Sequence, residues 1–432
     1  MRLELLVHRI RDLRAGAPTR LGGGVLTVDT AALGEALRAA AGIEVRVELA
    51  RPGESVRLSN VLDLIEPRCK DDAGGAYFAG FHAPLQVAGS GGTHVLEGLA
   101  VVETGALRGL IGGVIDLSGA AARLTPFGSL HHVVLETAPR AGMDKTSYAA
   151  AIRRAGLEAA CLLARACRSA APDERRTYDL SLTAEGSASS LPAAGADGAP
   201  RLPRIAYVCM LHALGDTRES YLYGQRVRDF TPTLLHPNEV LDGAVVSHHY
   251  DISPGMKNTT YTFQNHPVIR DLYARHGRDL IFAGVVAANQ PVRLEDKECS
   301  AFMTARLSAH LLRADGVIIT KEGAGAGDYD LMRQCQAHEA MGVRTVLIDN
   351  EQINASGIGE MPLIDVTPYA EAMVSTGNVE ELVHLPEVAR VLGGDTMVNV
   401  PGSLRGPLRL ESIVIPGANS TLGLTSMATA HV

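Results

Sequence analysis

Residues 315–341 read DGVIITKEGAGAGDYDLMRQCQAHEAM, and this stretch decides how the second half of the chain folds. A β-branched run, Val317-Ile318-Ile319, ends in the polar Thr320-Lys321-Glu322. Gly323, Gly325 and Gly327 follow, and then a segment at 329–341 with the spacing of a helix. Strand, glycine-rich loop and helix in that order form the repeating unit of a parallel sheet, because parallel neighbours must be joined by a crossover.

The same alternation extends in both directions. Short apolar strands are predicted at 204–210, 241–246, 280–287, 316–320, 343–348 and 372–375, with helices at 266–275, 296–312 and 329–341. Right-handed crossovers then predict a Rossmann-like, mainly parallel, doubly wound domain over 203–432. Upstream, TAEGSASSLPAAGADGAP at 183–200 is small, polar and aperiodic, which marks 183–202 as a linker. Residues 1–182 read as a β-rich α+β domain ending in a helix at 147–170. Its predicted strands lie at 2–10, 24–28, 43–49, 85–87, 94–102, 113–117 and 132–135. A further helix at 30–41 has Thr30 as its expected N-cap and Gly42 at its end. One late strand is predicted at 413–415. The fold class is therefore α/β, in two domains.

Composition removes several function classes. The 432 residues carry a formal net charge of −8, which is the wrong sign for a nucleic-acid partner. No apolar run approaches the ~20 residues of a membrane span, and residues 1–16 mix charges into their apolar positions, unlike a signal peptide. A cytoplasmic location is expected. Six cysteines show no CxxC spacing, so neither a zinc knuckle nor a thioredoxin-type motif is present.

Three stretches could carry chemistry. After the strand at 241–246 come Ser247, His248, His249, Tyr250 and Asp251. The two histidines could act as an acid–base pair or as ligands for a divalent metal such as zinc or iron, with Asp251 orienting them. Adjacent residues on a strand face opposite sides, so one metal would need the backbone to turn there. The plain alternative is a polar loop whose histidines are satisfied locally. A second stretch, MLHALGDT at 210–217, follows the first strand of the second domain. His212 or Asp216 could reach the crevice at the strand ends, or Asp216 and Thr217 could simply cap a following helix. The third is the glycine loop. GAGAG at 323–327 matches neither a dinucleotide fingerprint nor a Walker loop, and Glu322 and Asp328 would repel phosphate. Glu322, Gly323 and Gly325 suit a small amine or amino acid better.

Longer segments carry a resemblance. ELARPGESVR at 48–57, VLDLIEPR at 61–68, VAGSGGTHVLEG at 87–98 and LTPFGSLHHVVL at 124–135 resemble component B of glycine, sarcosine and betaine reductases. YGQRVRDFTPTLLHPNEVLDGAVVS at 223–247, NHPVIRDLYARHG at 265–277 and residues 315–335 continue it. The resemblance implies a substrate-binding enzyme subunit, a second reductase-type subunit beside it, and reductive cleavage of a carbon–nitrogen bond. It also implies a pyruvoyl group made from a cysteine in a Ser-Gly-Asn-Cys pattern. Here the pattern reads Ser247-His248-His249-Tyr250, and no cysteine lies between Cys209 and Cys299, so a cysteine-derived pyruvoyl is not expected. Only Ser247 or Ser253 could supply one.

The reading that follows is a reductase-type subunit cleaving a C–N bond in a small amino acid or amine derivative, without the usual pyruvoyl. Its expected catalytic residues are Ser247, His248, His249, Tyr250 and Asp251, with His248 and His249 also as metal ligands. Its expected substrate contacts are His212, Asp216, Glu322, Gly323 and Gly325. Two rivals are a metal-dependent hydrolase or lyase, and a silent scaffold subunit for a partner.

Overall fold

The computed structural model describes residues 1–107, 112–181, 201–215, 217–250, 253–354, 356–357, 367–398, 400–424 and 428–430. The fold is mixed α/β. The expected linker at 183–200, Asp216 and Asp251 lie outside the described residues.

Five strands of the second half are mutually parallel: Arg204–Gly215, Ile281–Gln290, Gly316–Thr320, Arg344–Glu351 and Met373–Asn378. Numbered as they occur in the chain, they lie side by side in the order 2-1-3-4-5. Both faces are covered, which is why the strands read as continuous apolar runs rather than as alternating ones. Ala206, Val208 and Met210 join a core with Leu331, Met332 and Cys335 of the helix Ala326–Ala340. Tyr207, Cys209 and Leu211 point the other way, into a core with Ile269 and Leu272 of the helix Pro267–Arg275. The direction of strand addition reverses between Arg204–Gly215 and Gly316–Thr320. In open α/β sheets that switch point opens a crevice at the carboxyl ends of the strands.

One correction there bears on function. The first parallel strand does not stop at Met210 and lead into a helix. It runs on to Gly215 and returns as the antiparallel strand Arg218–Leu222, which pairs with Val245–His249. His212 therefore lies on a strand, not in a loop. Thr217 starts no helix. Its carbonyl accepts the Tyr250 amide at 2.8 Å.

Among the described residues, the first half holds a small sheet of Asp12–Ala15, Val25–Val28 and Arg20–Gly22, and two larger ones. One orders Gly113–Asp116, Val56–Ile65, Leu99–Gly105, His131–Ala138 and Glu44–Ala50, and Arg390–Leu392 returns to pair with its Val56–Ile65 strand. The other orders Glu174–Asp179, Arg2–Arg9, Gly91–Glu97 and Arg68–Lys70. The expected strand at 94–102 is in fact two. Gly98 takes a φ of +86°, and the chain passes from one sheet to the other there. Residues 85–87 form a single 3-10 turn behind Pro84. Asp29, not Thr30, caps the helix Thr30–Ala41, its carboxylate accepting the Ala32 amide. The expected strand at 241–246 starts at Val245, because Pro237–Leu241 is a short helix closed by a capping box between His236 and Glu239. Residues 412–414 are a 3-10 turn, and the strand lies just before them at Leu408–Glu411.

A buried arginine joins late sequence to early sequence. The Arg57 guanidinium forms a fork with Asp116 at 2.6 and 2.8 Å, and both side chains are fully buried. Its remaining N–H groups donate to the carbonyls of Pro386, Leu404 and Gly406. Removing one partner of such a pair strands the other charge in the interior. Arg57→Ala should lower stability by about 3–5 kcal/mol, read from urea denaturation. A loss within experimental error would show that this junction bears no part of the fold.

Candidate functional site

The site is built on the strand Val245–His249. It pairs antiparallel with Arg218–Leu222, placing Ser247 opposite Ser220 and His248 opposite Glu219. Alternation then sends Ser247 and His249 to one side, and His248 and Tyr250 to the other.

On the first side, three segments converge on one buried carboxylate. Glu322 follows the strand Gly316–Thr320 and is 1% exposed. Its Oε2 accepts the His212 backbone amide at 2.7 Å and the Ser220 hydroxyl at 3.0 Å. His249 Nε2 lies 2.7 Å from Ser220 Oγ and 3.1 Å from Glu322 Oε1. Ser220 has one proton to give and gives it to Glu322, so its oxygen must accept from His249. Nε2 of His249 thus carries the hydrogen, and in the neutral ring Nδ1 is a lone pair. Carboxylate, hydroxyl and imidazole together fix the tautomer, as the carboxylate does in a catalytic triad.

His212 and Gln290 complete the group. They are register neighbours on adjacent parallel strands. Gln290 Nε2 donates to the Glu322 carbonyl at 3.1 Å. The His212 ring meets that of His249 edge to face at 5.4 Å. Gly323 has φ +70°, and a Cβ there would sit 3.0 Å from His212 Cε1, so both backbone and space call for glycine.

Among the described residues, several buried atoms of this group have no hydrogen-bond partner. They are His249 Nδ1, both ring nitrogens of His212, Gln290 Oε1, Ser247 Oγ and Glu322 Oε1, whose approach to His249 is an ion-pair contact off the hydrogen-bond direction. Buried polar atoms are almost always paired, so such a concentration marks a recess that binds water or a ligand. Burial, and then the neighbouring His249 ring, push His212 down to about 4, so it is a neutral ring at pH 7. Burial alone would raise the Glu322 carboxyl. The adjacent His249 and the His212 amide outweigh it and hold Glu322 below the usual carboxylate value.

Not every expected residue enters this group. Gly325 makes the turn before the helix Ala326–Ala340, with its amide held by Asp328 Oδ2 at 2.7 Å. Lys321 braces the same loop through Asp328 at 2.5 Å, Asp349 at 2.9 Å and the Gly323 carbonyl at 2.7 Å. His248 and His249 diverge, so the expected two-histidine metal pair does not form: the strand does not turn between them. Among the described residues, no group of three or more His, Cys, Asp or Glu is placed to hold a metal ion.

The far side of the strand is a second buried polar cluster. The His248 ring packs 4.3 Å from Tyr250 and 5.9 Å from Tyr221. Burial holds His248 well below the ordinary histidine value. Tyr250 stands where the resemblance would put cysteine, and its hydroxyl donates to Glu103. Glu103 faces Asp63 across two paired strands, next to a bulge at Leu62 whose carbonyl accepts from Lys257. Asp63 in turn accepts the Thr260 amide at 3.0 Å and its hydroxyl at 2.6 Å, and Thr260 Oγ1 accepts the Ser247 amide at 3.0 Å. The first half of the chain thus grips the site strand at Ser247 and at Tyr250. Burial, reinforced by the charge of Asp63, raises Glu103 to about 8, and burial raises Asp63 to about 6. Burial lowers Lys257 to about 8.

Ser220, Gln290, Asp63 and Glu103 were not expected from the sequence. Asp63 and Glu103 did leave a signal, as single acids inside the apolar runs VLDLI and VVETG. Ser220 and Gln290 left none, since only the register of distant strands brings them here.

With this geometry in place, the comparisons with known proteins can be read. Residues 1–429 match the family described as glycine/sarcosine/betaine reductase component B subunits. The chain belongs to that family. It is 37% identical over 431 residues to the glycine reductase complex component B subunits alpha and beta of Peptoclostridium acidaminophilum, covering 98% of each chain. It is 38% identical over 399 residues to the sarcosine reductase complex component B subunit alpha of the same organism, covering 91% of this chain and 89% of that one. With the betaine reductase complex component B subunit alpha it shares 34% over 403 residues, covering 91% and 88%. No solved structure matches the chain. Among the described residues, no helix is long and apolar enough to cross a membrane.

The acid cluster yields a test of pH dependence. Folded Glu103 keeps its proton to about pH 8, whereas an unfolded glutamate loses it near 4.5. Its contribution is therefore fully present below pH 4.5 and is lost as pH rises through 8. Glu103→Gln removes this titration. Between pH 5 and 8 the variant should gain on the order of 1 kcal/mol or more relative to wild type, measured by urea denaturation at both pH values. Parallel stability curves for the two proteins would show that Glu103 is ionised in the folded state.

Proposed function

We propose that this chain is the component B subunit of a glycine/sarcosine/betaine-reductase-type complex. In this reading it binds a small amino acid or amine derivative in the recess between His212, His249 and Glu322 and takes part in cleaving its carbon–nitrogen bond. The family supports the reaction class. The position supports the site: the recess lies where an open, doubly wound, Rossmann-like sheet reverses its strand order, the usual address for a ligand. We read residues 1–182 as one domain, which steadies the site strand from behind, and 203–432 as the domain that carries the site, joined through 183–202.

The observation that carries the proposal is the His249 Nδ1 lone pair, fixed by the chain from Nε2 through Ser220 to Glu322 and left without a partner among the described residues. A small amine is an ammonium ion at neutral pH. When the C–N bond is cleaved reductively the nitrogen leaves as an amine, and His249 Nδ1 is placed to hold and exchange its proton. Glu322 balances the imidazolium that results. His212, neutral at pH 7, offers one N–H and one lone pair to the rest of the ligand. The relatives are named as components of complexes, and a second reductase-type subunit is expected to supply the reducing equivalents. A pyruvoyl group does not fit the residues present: Tyr250 occupies the cysteine position and is engaged by Glu103, so no step is routed through one.

His249→Ala should lower turnover by about 100-fold or more, the usual worth of a placed general base. Glu322→Gln should lower it by about 10-fold or more and move the basic limb of the rate profile. Both are measured with the partner subunit present, as amine-dependent consumption of reductant. Full turnover by His249→Ala in a folded protein would sink the assignment.

A further inference from the structure

The unpaired atoms of the recess differ in kind, and the difference constrains the ligand. Gln290 gives one amide hydrogen to the Glu322 carbonyl, and its Oε1, an amide oxygen, can only accept. His249 spends its one hydrogen on Ser220, so Nδ1 can only accept. Glu322 Oε1 can only accept, and it carries charge. His212 adds one acceptor and one donor, and Ser247 Oγ can act as either. Acceptors therefore predominate, and all belong to residues no more than 4% exposed. A ligand that enters must bring hydrogens to them. Each buried acceptor left bare costs about 1–3 kcal/mol.

From this inventory we infer that the recess takes an amine that retains N–H groups and discriminates against a quaternary ammonium. This rests on the reading above that the recess is the ligand site. An ammonium N–H can be shared between Glu322 Oε1 and Gln290 Oε1, with His249 Nδ1 taking the proton that leaves. The remaining donors, one His212 N–H and the Ser247 hydroxyl, suit an oxygen at the other end of the ligand. A quaternary ammonium has no N–H, and its recognition relies on the faces of aromatic rings. Here the ring contacts of His212 and His249 are with each other, and the Tyr250 and Tyr221 rings pack on His248 behind the strand. Gln290 is the specificity-determining residue, because its Oε1 is a buried neutral acceptor with no hydrogen-bond partner among the described residues.

The test is a methylation series at constant carboxylate: glycine, sarcosine, N,N-dimethylglycine and betaine, each titrated calorimetrically into the intact protein at neutral pH. Each step removes one N–H. Affinity should fall along the series, with betaine weaker than glycine by about tenfold or more, the equivalent of one unpaired acceptor. Gln290→Leu should shrink the glycine-to-betaine ratio, and His249→Ala should weaken glycine. Betaine binding as tightly as glycine in wild type, while His249→Ala weakens both, would overturn the N–H requirement and leave the recess as the site. If none of the four binds, or if His249→Ala leaves glycine binding unchanged, the recess reading fails and this inference with it.

Discussion

The arrangement depends on a charge that has to be paid for. Glu322 is fully enclosed, and a buried carboxylate persists only when its oxygens are met by donors. Those donors come from a parallel strand end (the His212 amide) and from the antiparallel arm (Ser220, with His249 alongside). The arm, already paired to the end of the first parallel strand at Ala213 and Gly215, is thereby tied to the sheet by a buried side chain as well. Neither the arm's angle to the sheet nor the orientation of His249 can change without exposing or orphaning that charge. The same contact that steadies the fold sets the tautomer of His249. A substitution at Glu322 is therefore read correctly only when stability and catalysis are measured together.

The strand Val245–His249 illustrates how one element can serve two purposes. Its front face presents Ser247 and His249 to the recess. Its back face presents His248 and Tyr250 to the acids and the lysine of the first half. Because alternation is strict along a strand, tying down the back face fixes the front. The Asp63–Thr260–Ser247 chain acts at the middle of the strand and the Tyr250–Glu103 contact just past its end, so together they resist both sliding and rotation. The two acids lie side by side, and keeping a proton between them avoids the repulsion of two buried charges.

Much of the fold was legible. The parallel strands, the helix after the glycine loop and the positions of Glu322 and Gly323 at the end of a strand follow from periodicity and from polar residues at the ends of apolar runs. The errors have physical causes. His212 was read as a loop residue because a strand that outlasts its sheet and bends into a hairpin gives no local signal beyond Gly215. Gly98 was read through as strand because a break between two sheets changes partners without changing composition. The ten-residue strand Val56–Ile65 escaped notice because it is buried throughout. It therefore carries no alternation, and it includes Arg57 and Asp63, whose partners are remote. The metal pair was suggested by adjacency in sequence, which on a strand means opposite faces in space.

The glycine loop shows how the chemistry of a crevice can be redirected without changing its place. In open α/β sheets, a glycine-rich turn into a helix commonly receives phosphate, since the helix N-terminus offers free N–H groups and a positive dipole end. Here Asp328 turns back on the first helical turn and takes the Gly325 amide. Lys321, the residue that could have met an anion, is consumed by Asp328, Asp349 and the Gly323 carbonyl. Burial lowers its charged form's appeal, yet the two carboxylates more than restore it. What the loop leaves facing the recess is the oxygen of Glu322 beside that of Gln290. An address that elsewhere welcomes an anion thus presents acceptors.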